Sequence, residues 1–199
     1  MTDKLKRRRR GGKARVGDIV RILSPQPRFI VAGKTQLLFQ VASEALGRAG
    51  LHLEFEHHPG LWKLRRPGAT LRKITAQPDT AGWLLYRSTE AVQQWFADSG
   101  IAAVVLGGMY PHIALSHAEF DLVAACRHAA GVFAARGRKR LVFMNVENAT
   151  AGDHASAQAF CEAARVSGLH AQTVVFDDTV PGLCRAIDSL LVERPAPDG

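Results

Sequence analysis

"EFDLVAACRHAAGVFAARGRKRLVFMN", residues 119–145, places an acid, Asp121, directly before a helical pattern and closes that pattern at Gly137. A basic cluster and a fresh apolar strand, "RLVFMNV", follow at once. Asp121 sits where a helix N-cap belongs, because its short side chain can accept from a free amide of the first turn. The strand is largely apolar rather than alternating, as expected of a strand covered on both faces. The stretch therefore reads as the helix and second strand of a strand–helix–strand unit, with polar residues at its mouth.

The same rhythm extends outward in both directions. Upstream, "IVRILS" reads as a strand and "KTQLLFQVASEALGRAG" as a helix, with Leu37, Leu38, Val41, Ala42, Ala45 and Leu46 on one face. "LHLEFEH" alternates as a strand, "GATLRKITAQ" is a weaker helix and "AGWLLY" is a buried strand. "STEAVQQWFADSG" opens with Ser88 or Thr89 as N-cap, closes at Gly100 and leads to the strand "AAVVLGG". Downstream come the helix "SAQAFCEAARVSG", the strand "AQTVVFDD" and the helix "GLCRAIDSLLVE". Alternating strands and helices predict an α/β fold, a parallel sheet flanked by helices. The joint "MYPHIALSHAEF" has no helical period and reads as a crossover. It divides a first lobe, residues 19–120, from a second, 121–192, which has only two clear strands and is incomplete. Residues 1–18 are expected to be a basic disordered tail, and 193–199 a polar C-terminal tail.

The net charge of +8 is concentrated at the start. Residues 1–15 carry eight basic groups against Asp3, whereas the remaining 184 residues are nearly balanced, with 18 basic and 17 acidic groups. Arg7, Arg8, Arg9 and Arg10 are thus candidates for weak, salt-dependent contact with nucleic acid. No apolar run approaches the ~18 residues of a membrane span, and the basic start has no apolar segment behind it, so the chain reads as cytoplasmic. Three widely spaced cysteines within apolar patterns read as reduced core residues, not as a metal or disulfide set.

Familiar catalytic motifs are incomplete. Gly33-Lys34-Thr35 ends a P-loop pattern whose first glycine position holds Arg28. There is no Gly-x-Gly-x-x-Gly after the first strand, no nucleophile elbow and no paired metal-ligating histidines, so neither a cofactor nor a metal is expected. What remains is a set of polar residues at strand carboxyl ends, where open parallel sheets bind ligands. These are Ser24 to Arg28, Arg87-Ser88, Gly107 to Tyr110, Asp121 with Arg127, and Asn145 to Asp153. Such groups suit a polyol.

The order of segments resembles the effector-binding domain of LacI/GalR-type transcriptional regulators, which have a periplasmic-binding-protein-like type I fold. "GWLLYRSTEAVQQWFADSGIAAVVLGG", "AEFDLVAACRHAAGVFAARGRKRLVFM", "AGDHASAQAFCEAA" and "VRILSP" carry the resemblance across about residues 19–192. It implies a sugar-like effector between two lobes, held by Ser24, Gln26, Arg28, Tyr110, Asp121 and Arg127. It also implies dimerisation through lobe faces, and DNA contact only through the basic tail or a missing headpiece. Two departures stand out. Gly137-Arg138 replaces the family's Gly-His turn, and Ser156 stands where many members have an effector-contacting arginine. The chain thus reads as a truncated, non-enzymatic regulator lacking its DNA-binding headpiece. The alternative is a small flavodoxin-like enzyme acting on a phosphorylated substrate through the Gly33-Lys34-Thr35 turn.

Overall fold

The computed structural model describes residues 17–28, 33–192 and 196–199. The cluster Arg7 to Arg10, residues 193–195 of the C-terminal tail and the Lys34 side chain lie outside the described residues. Strands β1 (Ile19–Ser24), β2 (His52–His57), β3 (Thr80–Tyr86), β4 (Ala103–Leu106) and β5 (Ser116–Ala118) form one parallel sheet, ordered β2-β1-β3-β4-β5. Helices α1 (Gly33–Arg48), α2 (Gly68–Ile74) and α3 (Glu90–Ser99) make its crossovers. Helix α4 (Leu122–Ala135) leads to a second parallel sheet of β6 (Arg140–Val146) and β7 (His170–Phe176). Helix α5 (Ala151–Val166) joins these two strands and α6 (Val180–Val192) follows them. No helix among the described residues is long and apolar enough to cross a membrane.

Strand β1 lies between β2 and β3 and is buried from its second residue onward, which is why its sequence is mostly apolar. One face of the sheet packs Leu23, Trp83, Leu85 and Val105 against Leu71 and Ile74 of α2 and Val92 and Phe96 of α3. Arg21 shares that face yet is only 6% exposed. Its guanidinium bonds Glu54 at 2.5 Å and Glu56 and Asp79 at 3.0 Å, while Nε donates to Thr80. These acids, with nearby Gln77 and His58 on Glu56, supply the partners a buried cation requires. The Arg21 pKa accordingly stands above the ordinary arginine value. Burial, the largest single influence, opposes this, and the Asp79 hydrogen bond and the three carboxylate charges outweigh it.

Two sequence expectations are corrected. Helix α1 does not bury the face of Leu37, Leu38 and Val41, which are 60%, 37% and 53% exposed. It seats Phe39 on the sheet instead, edge-on to Tyr86 and tilted against Phe55. The apolar residues of α1 wrap more than one side of the helix, and the aromatic contact chooses among them. The joint is not irregular throughout either. Ser116–Ala118 pairs with β4 as an edge strand, held by backbone bonds although all three residues are exposed.

The second unit packs α4 on α5 around Ala130, Phe160 and Ala164, with Leu141 of β6 beneath. Small side chains let the two helices approach, and Phe160 meets Phe133 edge-on and lies tilted against Phe143. Residues 196–199 run beside β6: Asp198 N–H donates to the Arg140 carbonyl and Val142 N–H to the Gly199 carbonyl. The Asp198 carboxylate also accepts from the Lys139 and Arg140 amides at 2.8–3.2 Å. Its pKa is lowered chiefly by the Arg140 amide, against an opposing effect of burial, with further help from the Lys139 amide and nearby arginines.

Candidate functional site

The carboxyl ends of strands from both sheets converge on one cleft. Its larger compartment, about 450 Å³, is bordered by Tyr86 to Ser88 after β3, Leu106 to Met109 after β4, and His117 to Val123 between β5 and α4. Thr35 and Leu38 of α1 close one side, and Thr150 to Asp153 with Ala155 and Ser156 close the other. A second compartment of about 330 Å³ runs on toward the ends of β6 and β7, where Asn145, Phe176 and Asp178 line it. Arg87, Leu122, Asp153 and Ser156 border both.

Local chemistry fixes these walls. Asp121 caps α4 by accepting from the Ala124 amide at 2.8 Å. Thr150 and Asp153 form a reciprocal capping box at the start of α5, with Asp153 accepting from the Thr150 amide at 2.8 Å. The helix therefore begins at Ala151, earlier than its apolar period suggests. Buried Gln93 ties two loops together: its amide nitrogen donates to Ser88 Oγ at 3.0 Å and the Gly108 carbonyl at 3.2 Å. Its oxygen accepts from the Tyr110 amide. The Trp62 indole N–H donates to the Arg87 carbonyl, bracing a residue whose φ is 50°.

The two sheets meet through glycine. A side chain on Gly108 would lie 2.1 Å from the Gly152 nitrogen and 2.4 Å from its Cα, so the loop after β4 seats its backbone directly on the start of α5. Neighbouring Gly107 has space around it but a φ of 120°, which an L side chain rarely adopts. Adjacent glycines thus serve different needs, one conformational and one steric.

Of the six residues selected from sequence, Asp121 borders the cleft. Ser24 is fully buried and its hydroxyl bonds the Gln26 backbone in a local turn, which also occupies the Gln26 amide. Arg28 is exposed beside the undescribed residues 29–32, and Arg127 is exposed on α4. Tyr110 lies against Glu90 at the start of α3, and its pKa is raised by burial first and by the Glu90 charge second. None of these five borders either compartment. The cleft is also bordered by Arg87, which belongs to the wider set of strand-end residues but not to the six, and by Ser156 and Asp178. Ser156 is 4% exposed and its hydroxyl has no partner among the described residues. Thr35, from the incomplete P-loop pattern, borders the larger compartment. No group of three or more His, Cys, Asp or Glu among the described residues is arranged to hold a metal ion.

No protein-family model matches the chain, and no curated protein matches it in sequence. Solved structures match its fold. A LacI family transcriptional regulator from Bifidobacterium animalis subsp. lactis is 14% identical, with a TM-score of 0.71 over 90% of this chain and 64% of its own. A LacI family transcriptional regulator from Silicibacter pomeroyi is 19% identical, with a TM-score of 0.70 over 90% of this chain and 67% of its own. A periplasmic binding protein/LacI transcriptional regulator from Alkaliphilus metalliredigens, complexed with D-xylulofuranose, is 18% identical. Its TM-score is 0.64, over 85% of this chain and 60% of its own. At these identities the likeness is one of fold: the chain has the periplasmic-binding-protein-like architecture of LacI-type regulators, as its segment order suggests. It spans about two thirds or less of the length of each of these three proteins.

Proposed function

We infer that this chain is the effector-binding part of a transcriptional regulator, holding a sugar-like small molecule between two lobes, residues 19–120 and 121–192. The observation that carries this reading is the cleft itself. It lies at the carboxyl ends of two parallel sheets, where such sheets bind ligands, and both units contribute to its walls. A molecule touching both units favours the arrangement in which Gly108 rests on Gly152, so binding shifts the population of lobe angles. In a regulator that shift is coupled to DNA affinity elsewhere in the assembly. The likeness in fold to LacI-type regulators, one of them complexed with a sugar, supports the assignment. Asp121, Arg87 and Ser156 are the groups we assign to ligand contact. DNA contact falls to the basic segment around Arg7 to Arg10 or to a separate headpiece, and dimerisation to the lobe faces.

The test is a thermal melt and a fluorescence titration of the chain with a panel of pentoses and hexoses. Only native-state binding raises the melting temperature, by the equivalent of about 2.7 kcal/mol at a hundredfold excess over Kd. Trp62 is the reporter, since its indole holds the Arg87 carbonyl at the cleft wall. One sugar should raise the melt and change the emission, and Trp62→Phe should remove the emission change. A melt and an emission spectrum indifferent to every sugar refute the reading.

A further inference from the structure

We propose that the exposed flank of the first lobe around helix α2 binds the phosphate backbone of duplex DNA. The inference goes beyond the effector-binding reading and does not depend on it.

Charge is spread unevenly over the body of the chain. Residues 57–78 hold Lys63, Arg65, Arg66, Arg72 and Lys73 and no acid. The rest of the body, residues 16–56 and 79–199, carries 13 basic against 17 acidic groups. All five cations are exposed, while Leu61, Pro67, Leu71 and Ile74 among them are buried. These apolar anchors turn the charged positions outward. None of the five has a hydrogen bond or ion pair with another described residue. The acids that flank the stretch, Glu56 and Asp79, hold Arg21 instead. A helix C-terminus favours cations, which accounts for Arg72 and Lys73 in the last turn of α2. It does not account for Lys63, Arg65 and Arg66, which precede the helix at its positive end, where a cation is unfavourable. The stability of the lobe leaves these three unexplained, and an anion from outside would explain them.

Two further observations favour nucleic acid as that anion. Arg72 is braced by an aromatic ring: a Cβ on Gly68 would lie 3.6 Å from Arg72 Nη1 and 3.3 Å from Trp95 Nε1, so guanidinium and indole share the space above the glycine. A guanidinium placed in this way loses little freedom on meeting a phosphate. The chain also enters the fold beside this flank. A side chain on Gly17 would run into the Asp79 carbonyl, and the Ile19 amide donates to the same carbonyl, in the turn between α2 and β3. The eight basic groups of residues 1–15 stand just before that point in sequence. Flank and N-terminal segment are thus adjoining sources of positive charge. A surface of one sign fits a partner of uniform charge, and duplex DNA presents one negative charge about every 1.7 Å along its axis. Phosphate contacts position a protein without reading bases, so this surface should bind independently of sequence.

The experiment is fluorescence anisotropy of a short labelled duplex of arbitrary sequence, titrated with the full chain across a salt series. Arg65→Gln, Arg66→Gln and Lys73→Gln combined should reduce the slope of log K against log salt by about 3, near one for each lost phosphate contact. Arg136→Gln, Arg138→Gln and Lys139→Gln combined remove the same charge from the turn before β6 and should leave the slope as it is in the parent. All six positions are exposed, so both variants should melt as the parent does. A flank variant with the parent's slope overturns the proposal. An equal fall in both variants overturns it as well, because total charge alone would then govern binding. Poly-glutamate that competes as strongly as unlabelled duplex at equal charge also overturns it and assigns the flank to an acidic protein. A parent chain that binds no duplex overturns it too and leaves the effector reading standing.

Discussion

Replacing Gly108 by alanine tests whether the lobe contact is part of the binding machinery. The added Cβ would lie 2.1 Å from the Gly152 nitrogen, 2.4 Å from its Cα and 3.0 Å from the Ala151 carbonyl carbon. All three are backbone atoms, so no side chain can swing aside. Ordinary contact begins at 3.4 Å, so the start of α5 must retreat by about 1.3 Å. Inserting a methyl into such a contact typically costs ~1–3 kcal/mol. If the ligand binds the closed arrangement, that cost appears as ~5- to ~150-fold weaker binding, at 1.4 kcal/mol per tenfold. Gly152→Ala is the matched control. Its Cβ would meet the Gly108 nitrogen at 3.3 Å and Cα at 3.4 Å, close to ordinary contact. It also exchanges a helical glycine for the best helix former, a gain of roughly 0.5–1 kcal/mol. The assay is a ligand titration with a parallel thermal melt of both variants. Gly108→Ala should lose affinity, while Gly152→Ala should keep it and melt no lower than the parent. Equal behaviour of the two variants, or an unchanged Gly108→Ala, would refute the steric reasoning.

Three further outcomes follow from the same structure. Arg21→Met should destabilise the chain by about 2 kcal/mol in chemical denaturation. That is less than the roughly 3–5 kcal/mol of a fully buried pair, because Glu54 and Asp79 are about half exposed and water takes up part of the loss. Adding Glu54→Gln to Arg21→Met should recover part of it, and a strictly additive double-mutant cycle would contradict the pairing. Gln93→Leu removes the amide that joins Ser88, Gly108 and Tyr110, and should cost ~1–3 kcal/mol in thermal or chemical unfolding while also weakening ligand binding. Asp198, whose folded pKa is depressed, contributes stability above the ordinary aspartate range near 4 and loses it as pH falls through the folded value. The hydrogen-exchange protection factor of the Val142 amide, which bonds the Gly199 carbonyl, should therefore drop below about pH 4. It should lose that pH dependence in Asp198→Asn, and a flat profile in the parent chain would count against the assignment.

The fold was readable because interior parallel strands are largely apolar without strict alternation, as "IVRILS", "AGWLLY" and "RLVFMNV" are. Strand β5 was not, because "SHA" is polar, exposed and held only by its backbone, so nothing in its side chains marks it. The buried face of α1 was misjudged for the opposite reason: its leucines and valine outnumber Phe39, and aromatic packing in three dimensions decides between them. The candidate site divides along the same line. Of the residues at strand carboxyl ends, Arg87-Ser88, Gly107 to Met109 and Asp153 do border the cleft. The six residues that the resemblance pointed to include Ser24 and Tyr110, which the fold uses locally, Ser24 in its own turn and Tyr110 against α3. Arg87, Asp178 and Ser156 also border the cleft; the first two are marked by positive φ, and the Ser156 hydroxyl by the lack of a partner among the described residues. Both are properties of what the fold fails to satisfy, and a sequence lists a group's bonding capacity without showing whether the fold has already consumed it.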